Sequence, residues 1–384
     1  MSTTKLSKIK FKQIKFDLDS YKNKGYLTHN FHSFPAKFVP QIPQILINTL
    51  STPGSTVMDP FSGSGTTLVE AKLAGRHSIG IDINPISLLI SKTKTTILTN
   101  AQFLKIDKIL EKIQKDFKEY DEKNSKKYVT IPEIYNLDLW FQKNVQIELG
   151  IIKKNIDAEK NIKVRNFLLT GFSAIINPVS NQISDTKYAS TNKNISTNDT
   201  ITKFVTKILG MKKRLIEFSN LAQNVSCKIY DCSTLSIKPV KDEQVDLIVT
   251  SPPYANTYDY YLYHRHRMEW LECYSKQPQL LEIGSRNKHS DDNLGIQSYL
   301  DSMEESMKEF HRVLKDDSFL CMVIGDSIKD KKLIQMDKKF KKLGKNIGFK
   351  TKQCFSYDIG KYSTYFRWAE KVPEKKGHII IFQK

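Results

Sequence analysis

The sequence predicts an α/β protein: a doubly wound sheet carrying a mostly helical insertion. Three observations lead there. Short β-prone runs alternate with helix-periodic segments in the early and late parts of the chain. One unit, "STVMDPFSGSGTTLVEAKLAGRHSIGIDINP", has the strand, glycine turn, helix and strand of a parallel βαβ crossover. Between the two α/β parts the apolar residues recur at three- and four-residue spacing with charges between them. A chain of 384 residues can bury a substantial core, as one large domain with an insertion or as two domains.

Taken in order, the βαβ unit places a strand at Thr56–Met58, a helix through Leu68–Leu73 and a second strand at His77–Ile81. From Ile86 to about Leu221 the pattern is helical, as in "FLKIDKILEKIQKDFKEYDEK". Within it, residues 180–200, "SNQISDTKYASTNKNISTNDT", are rich in Ser, Thr and Asn and read as a long loop or a disordered segment. The β rhythm returns at "VSCKIYDCSTL" and at "EQVDLIVTSPPY". A helix then carries Met303, Met307 and Phe310 on one side, followed by a turn at Asp316–Asp317 and a strand from Phe319 to Gly325. "HIIIFQ" is a closing strand. The insertion therefore falls between the second and third strands of the sheet, and no internal repeat is present.

Composition narrows the function. Hydrophobic content of 39% and a mean hydropathy of −0.43 fit a soluble protein, and no apolar run is long enough to span a bilayer. The basic N-terminus lacks an apolar h-region, so no signal peptide is expected. Five cysteines form no CxxC pair, which fits reduced thiols and a cytoplasmic location. The net charge of +19 is unevenly placed, with +6 in residues 1–50 and +11 in residues 331–384. Such an excess suits a polyanion, nucleic acid first; a genomic base bias towards Lys, Ile and Asn gives the same composition.

Gly63 and Gly65 open a helix just past a strand, where glycine allows close backbone approach and positive φ. The helix N-terminus offers free N–H groups to a carboxylate or phosphate. Asp59, at the strand end, could accept hydrogen bonds from an ammonium group, and Asp82 ends the next strand where an acid commonly holds two ribose hydroxyls. Together they describe a pocket for a ligand with a ribose and an amino-acid-like end. No GK[ST] follows, so this is not a P-loop. A purely structural tight turn is the alternative for the glycines taken alone.

Ser251–Pro252–Pro253–Tyr254 follows the apolar strand Val245–Val249, at the sheet edge where open α/β folds bind ligands. The prolines lack N–H donors and fix φ, so the corner presents carbonyl acceptors in a rigid frame. Ser251 adds a hydroxyl acceptor, and Tyr254 a flat face for stacking. Such a pocket suits an exocyclic amine on a planar base. Hydrogen bonds from its protons to Ser251 Oγ and the Pro252 carbonyl would localise a lone pair otherwise delocalised into the ring. Attack on an activated methyl then needs mainly positioning and electrostatics. In a duplex the base must first be flipped out, at a cost of a few kcal/mol.

"DPFSGSGTT", "GIDINP" and "TSPPY", with "HNFHSFPAKFVPQIPQILI" ahead of them, closely resemble the amino-group DNA methyltransferases that use S-adenosylmethionine, and most resemble the cytosine-N4 members. The resemblance, with "KIYDCS" and the later helix–strand pairs, covers roughly half of the chain. It implies a Rossmann-like methyltransferase sheet in which Phe38, Phe61, Gly63, Gly65, Thr66 and Thr67 surround the methionine end of the cofactor. Asp82 would hold the ribose, Asp231 would contact the adenine amino group with Cys232 close by, and Ser251 to Tyr254 would hold the target amine. Serine at the head of the corner is typical of cytosine-N4 enzymes, whereas adenine-N6 enzymes usually carry Asp or Asn. Methylation at cytosine C5 needs a thiolate in a Pro-Cys context, and no cysteine here follows a proline. The order of motifs, glycine turn first, differs from the commonest permutation of cytosine-N4 enzymes.

The implied organisation is residues 1–98 for the N-terminal segment and cofactor half of the core. Residues 99–222 form the insertion, a helical packing unit or a target-recognition region, and 223–384 the catalytic half with a DNA-contacting loop at 258–297. Arg265, Arg267, Arg286, Lys288 and His289 could touch phosphates or guanine edges; a solvated basic loop is the alternative. His264 and His266 have no acid placed to complete a metal site, so no metal is expected. The expected activity is methyl transfer to cytosine N4 in duplex DNA, in restriction–modification with a cognate endonuclease or as a solitary modifier. A DNA adenine-N6 enzyme, an RNA methyltransferase and a non-catalytic nucleic-acid binder are the rivals.

Overall fold

A computed structural model describes residues 11, 14–16, 25–37, 39–185, 187–255, 259–284, 295–329, 332–358 and 375–384. Its main sheet is assembled from β1 (Thr56–Asp59), β2 (His77–Asp82), β5 (Cys227–Asp231), β6 (Val245–Thr250), β7 (Leu314–Gly325), β10 (Lys350–Asp358) and β11 (Lys376–Gln383). Two small hairpins, β3 (Gln182–Ser184) with β4 (Lys187–Ser190) and β8 (Ser327–Lys329) with β9 (Lys332–Ile334), stand apart from it. The strand order is β10-β11-β7-β6-β1-β2-β5. β5, β2, β1, β6 and β7 run parallel, and β11 is antiparallel to both of its neighbours.

Alternation along the strands sorts the core into two layers, since successive side chains point to opposite faces. Val57, Leu247, Val249, Cys321, Val323 and Ile379 pack on one face with Ile42, Leu46 and Leu50 of helix α1 (Gln41–Leu50). Met58, Ile248, Leu320, Met322 and Ile380 pack on the other with Met303, Met307 and Phe310. The three-residue apolar stripe read from the sequence thus faces the sheet, on the helix Gly295–Val313.

Helices α2 (Thr66–Leu73) and α3 (Pro85–Thr95) follow β1 and β2. The insertion supplies α4 (Asn100–Lys118), α5 (Lys143–Asp157), α6 (Ile162–Val179) and α7 (Asp199–Leu221), and α4 starts with a Thr99–Gln102 capping box. Its core shares Phe31, Val69 and Trp270 with the sheet-bearing part of the chain, so the insertion is packed against the segments that flank the sheet and not merely tethered to it. Trp270 ends helix α8 (Tyr260–Trp270).

Four local readings need correction. Helix α2 starts at Thr66, two residues earlier than expected, because Gly65 at φ +76° serves as its N-cap. Within residues 180–200, where a long loop or a disordered segment was expected, Gln182–Ser184 and Lys187–Ser190 pair as the β3–β4 hairpin, and Asp185 is tied down by an ion pair to Arg267 at 2.7 Å. Asp316 and Asp317 lie inside β7, where Asp317 at φ +59° marks a bulge beside a register shift against β6. β10 and the helix Met336–Ile347 were not anticipated, since both are lysine-rich and bury few residues. Among the described residues no helix is long and apolar enough to cross a membrane.

Candidate cofactor and target-base cleft

The chain reverses its direction of sheet growth between β1 and β6: β1 leads to β2 on one side, and β6 leads to β7 on the other. A crevice opens outside the carboxyl ends of strands at such a switch point. The glycine turn leaves β1 and Ser251–Tyr254 leaves β6, so two motifs almost two hundred residues apart in sequence become neighbours across it. Side chains lock that apposition. Thr250 donates its hydroxyl to Asp59 Oδ1 at 2.7 Å, and Thr67 donates to the Val249 carbonyl at 3.2 Å.

The two glycines answer different needs. Gly63, at φ +45°, donates its N–H to Asp82 Oδ2 at 2.8 Å and lines the cleft. At Gly65 an added Cβ would lie 2.9 Å from Ser91 Cβ, so this glycine allows α2 and α3 to touch. Asp82 also accepts the Asn84 N–H at Oδ1, 2.8 Å away, which fixes the carboxylate on the cleft wall. Burial pushes its pKa up to about 6 despite these N–H bonds.

The cleft encloses about 960 Å³ including its open mouth. Phe34, Lys37, Phe61, Gly63, Thr66, Asp82 and Asn84 line it. Cys232, Thr234, Ser251, Pro253, Tyr260, Tyr261 and Glu282 line it as well. Lys37 is the one cation among the described lining residues, its ammonium donating to the His29 carbonyl at 2.9 Å, and Asp82 and Glu282 are the lining carboxylates. That balance suits a ligand carrying both ammonium and carboxylate groups and a further positive charge.

A family model described as DNA methylase, of the N6/N4 type, matches residues 5–93 and 245–384. The chain belongs to that DNA methylase family. It is 26% identical over 356 residues to the Type II methyltransferase M.MvaI of Kocuria varians, covering 79% of this chain and 78% of that one. It is 25% identical to the Type II methyltransferase M.MjaII of Methanocaldococcus jannaschii, covering 81% and 74%. Among solved structures it is similar to a SAM-dependent methyltransferase from Methanosarcina mazei, at a TM-score of 0.35 and 10% identity over 88% of this chain and 96% of that one. It is also similar to a Thermus thermophilus protein in complex with S-adenosyl-L-methionine, at a TM-score of 0.24 and 16% identity over 38% and 50%.

The protein is an amino-group DNA methylase, and its methyl donor is S-adenosylmethionine. Its cleft brings together seven of the residues singled out from the sequence: Phe61, Gly63, Thr66, Asp82, Cys232, Ser251 and Pro253. Others support it from behind. Asp59 is buried with Oδ1 on Thr250 and Phe61 and Oδ2 unpaired, and burial raises its pKa to about 6. Gly65 and Thr67 brace α2, Pro252 is buried, and Asp231 is exposed at the end of β5 beside Asp82. Tyr254 is half-buried and hydrogen-bonded to Ser251 through its phenol, which burial holds above its ordinary pKa. Its ring is not among the cleft walls, and the aromatic surface there comes from Phe34, Phe61, Tyr260 and Tyr261.

The DNA-contacting set divides. Phe38 of the cofactor set and Arg286, Lys288 and His289 lie outside the described residues. Arg265 is partly exposed, pairing with Glu269 at 3.0 Å beside the rings of Tyr188 and Tyr274. Arg267 must be corrected. It is fully buried, donating to Asp185, to the carbonyls of Tyr263 and Ser173 and to Ser33, so it fastens α8 to the β3–β4 hairpin and cannot reach DNA. Its place explains itself: on α8 it follows Tyr263 by four residues and points to the same buried side.

The sequence reading missed Phe34, Lys37, Tyr260, Tyr261 and Glu282. The first two lie inside "HSFPAKF", next to Phe38, and the tyrosines in a run too aromatic for a solvated loop. Glu282 lies inside residues 258–297, read as a DNA-contacting loop, where the basic residues were singled out and this acid was not. Away from the cleft, Asp337, Cys354 and His378 bring ligand atoms within 4.8 Å of one another, but the Lys341 ammonium already pairs with Asp337 at 2.8 Å.

Proposed function

We propose that the protein methylates the exocyclic N4 amine of a cytosine flipped out of duplex DNA, as the modification enzyme of a restriction–modification system. The observation that carries this reading is Ser251 on the wall of the cleft that also holds Asp82 and the Gly63 turn. A serine there, in place of the Asp or Asn usual for adenine-N6 enzymes, favours cytosine. The relatives named as Type II methyltransferases favour the restriction–modification setting.

When bound, S-adenosylmethionine supplies an electrophilic methyl on a sulfonium. The chain's residues do the rest by holding. Asp82 accepts the ribose hydroxyls on a carboxylate already oriented by two backbone N–H groups. Lys37, a lining residue whose ammonium donates to the His29 carbonyl, would meet the cofactor carboxylate with its remaining protons. Ser251, oriented by the Tyr254 phenol, and the Pro252 carbonyl accept the two amine protons and turn the nitrogen lone pair towards the methyl. Phe61, Tyr260 and Tyr261 give apolar surface that excludes water, in which these hydrogen bonds gain strength. The partner is double-stranded DNA, with a cognate endonuclease expected beside it.

The test is incubation with isotopically labelled S-adenosylmethionine and mixed-sequence duplex DNA, digestion to nucleosides and mass spectrometry. N4-methylcytosine is the expected product. N6-methyladenine would overturn the choice of base while leaving the cleft's role intact, and labelled RNA without labelled DNA would overturn the substrate.

A further inference from the structure

Methylating an amino group leaves a problem that the Ser251 corner does not solve. The nitrogen lone pair forms the new N–C bond while the electrons of the breaking S–C bond return to sulfur. The amine nitrogen then carries a positive charge and both of its original protons. One proton must leave, with its bonding pair staying on nitrogen. Ser251 and the proline carbonyls are too weakly basic to take it at neutral pH, and the Tyr254 phenol is protonated. Both oxygens of Asp82 are engaged by backbone N–H groups on the ribose side.

We propose that Glu282 is the residue that takes this proton, resting on the reading of the cleft as an amino-methylation site. It is a buried carboxylate, 8% exposed, lining the same cleft as Ser251 and Pro253. The chain just beyond it is pressed against the proline corner. At Gly284, φ +77°, an added Cβ would meet the Tyr299 ring at 3.2 Å and the Tyr254 carbonyl at 3.4 Å. Tyr299 in turn donates its hydroxyl to the Pro253 carbonyl at 2.9 Å. Glu282 is therefore held beside the target corner by the elements that hold the corner itself.

Its own bonds leave it able to act. Oε1 accepts the Tyr260 N–H at 2.7 Å, and Oε2 has only a long contact of 3.4 Å from the Tyr261 N–H. An ionised carboxylate offers about four lone-pair sites, so acceptor capacity remains on the cleft side. Among the described residues, the charged groups acting on it are Asp259 at the start of α8 and Asp82. Burial first, then the two aspartates, raise its pKa to about 7 against the opposing effect of the N–H bonds. A base poised there accepts a proton at neutral pH and can release it to water at the cleft mouth before the next turnover.

A purely structural role is the competing account, since Glu282 also caps α8. Glu282→Gln separates the two, because the amide oxygen can still accept the Tyr260 N–H while the base is lost. Three readouts are compared with wild type: cofactor affinity by calorimetry, single-turnover methyl transfer from pH 5.5 to 9, and the titration of the Glu282 carboxyl by ¹³C NMR on cofactor-free protein, assigned by its absence in the variant. The proposal expects cofactor affinity within about threefold and a transfer rate lower by on the order of a hundredfold. It also expects a wild-type rate that rises with pH to a plateau past 7, a rising limb lost in the variant, and a carboxyl titrating near 7. An active wild type with an unaffected E282Q, or a Glu282 titrating in the ordinary carboxylate range, overturns the role of Glu282 alone. A loss explained entirely by weaker cofactor binding overturns it as well. A wild type that methylates no DNA overturns the underlying reading together with it.

Discussion

Replacing Asp82 with alanine removes the carboxylate at the centre of the cofactor cleft. Two 2.8 Å bonds are lost inside the protein, from Gly63 N–H to Oδ2 and from Asn84 N–H to Oδ1. Both belong to backbone at the cleft wall, where water can replace the carboxylate, so their loss weakens the turn without exposing a core. The cofactor side loses more. Two ribose hydroxyls bonded to a carboxylate are each worth about 1.5–3 kcal/mol. The lower end of that range gives about 3 kcal/mol, on the order of a hundredfold in Kd. Titration of S-adenosylmethionine into the cofactor-free variant by calorimetry measures it, with a thermal melt to establish folding. Asp82→Asn should fall between, since one amide oxygen can still accept one N–H while its NH₂ meets the other donor. A folded Asp82→Ala protein that binds the cofactor within threefold of wild type would refute the ribose assignment.

Ser251→Ala should lower single-turnover transfer by about tenfold to a hundredfold while cofactor affinity stays level if, as proposed, the hydroxyl holds the target amine; full activity would remove that role. Arg267→Ala removes the ion pair to Asp185, which keeps its bond from Asn177, and three further hydrogen bonds of a fully buried guanidinium, so urea unfolding should show a loss of about 3–5 kcal/mol. Arg265→Ala, at a partly exposed pair, should change stability little, and any effect on DNA affinity should come with a shallower salt dependence. For pH, Glu70 and Glu282 have folded pKa values raised to about 7 by burial, so the folded state holds more protons than the unfolded chain between their ordinary range and 7. Their contribution to stability is complete at low pH and is lost as pH rises through 7. Buried His29, His32 and His264 are pushed the other way, and their contribution is lost as pH falls below 6.5. Burial pushes the ammoniums of Lys94 and Lys207 down, and these act in the opposite sense to the two glutamates from pH 6.5 to pH 8, so the test is differential. Over that interval the urea midpoint of cofactor-free Glu70→Gln should decline less, or rise more, than that of wild type, and identical slopes would refute the assignment of Glu70.

Much of this protein is written locally. The glycine turn, Asp82 at a strand end and Ser251–Pro253 after an apolar run follow from backbone rules that act over a few residues, and the sequence alone placed them in one pocket. Alternation and helical periodicity likewise located β1, β2, β6 and the helix bearing Met303, Met307 and Phe310, because burial on a sheet demands those patterns. Local rules fail where a residue's meaning depends on a distant partner. Arg267 looked like a DNA contact because its neighbours are basic and aromatic; only the hairpin carrying Asp185, folded back over α8, turns it into a buried clamp. Residues 182–190 looked like a loop for the same reason, since their order comes from that clamp and not from their own propensity. Glu282 lay in the stretch read as DNA-contacting with no role of its own, and becomes a cleft carboxylate through the fold, held by the Tyr260 N–H and by Gly284 packing against Tyr254 and Tyr299. Strand order makes the final decision: by laying β6 beside β1, it puts the proline corner against the glycine turn, a contact that no periodicity in the chain encodes.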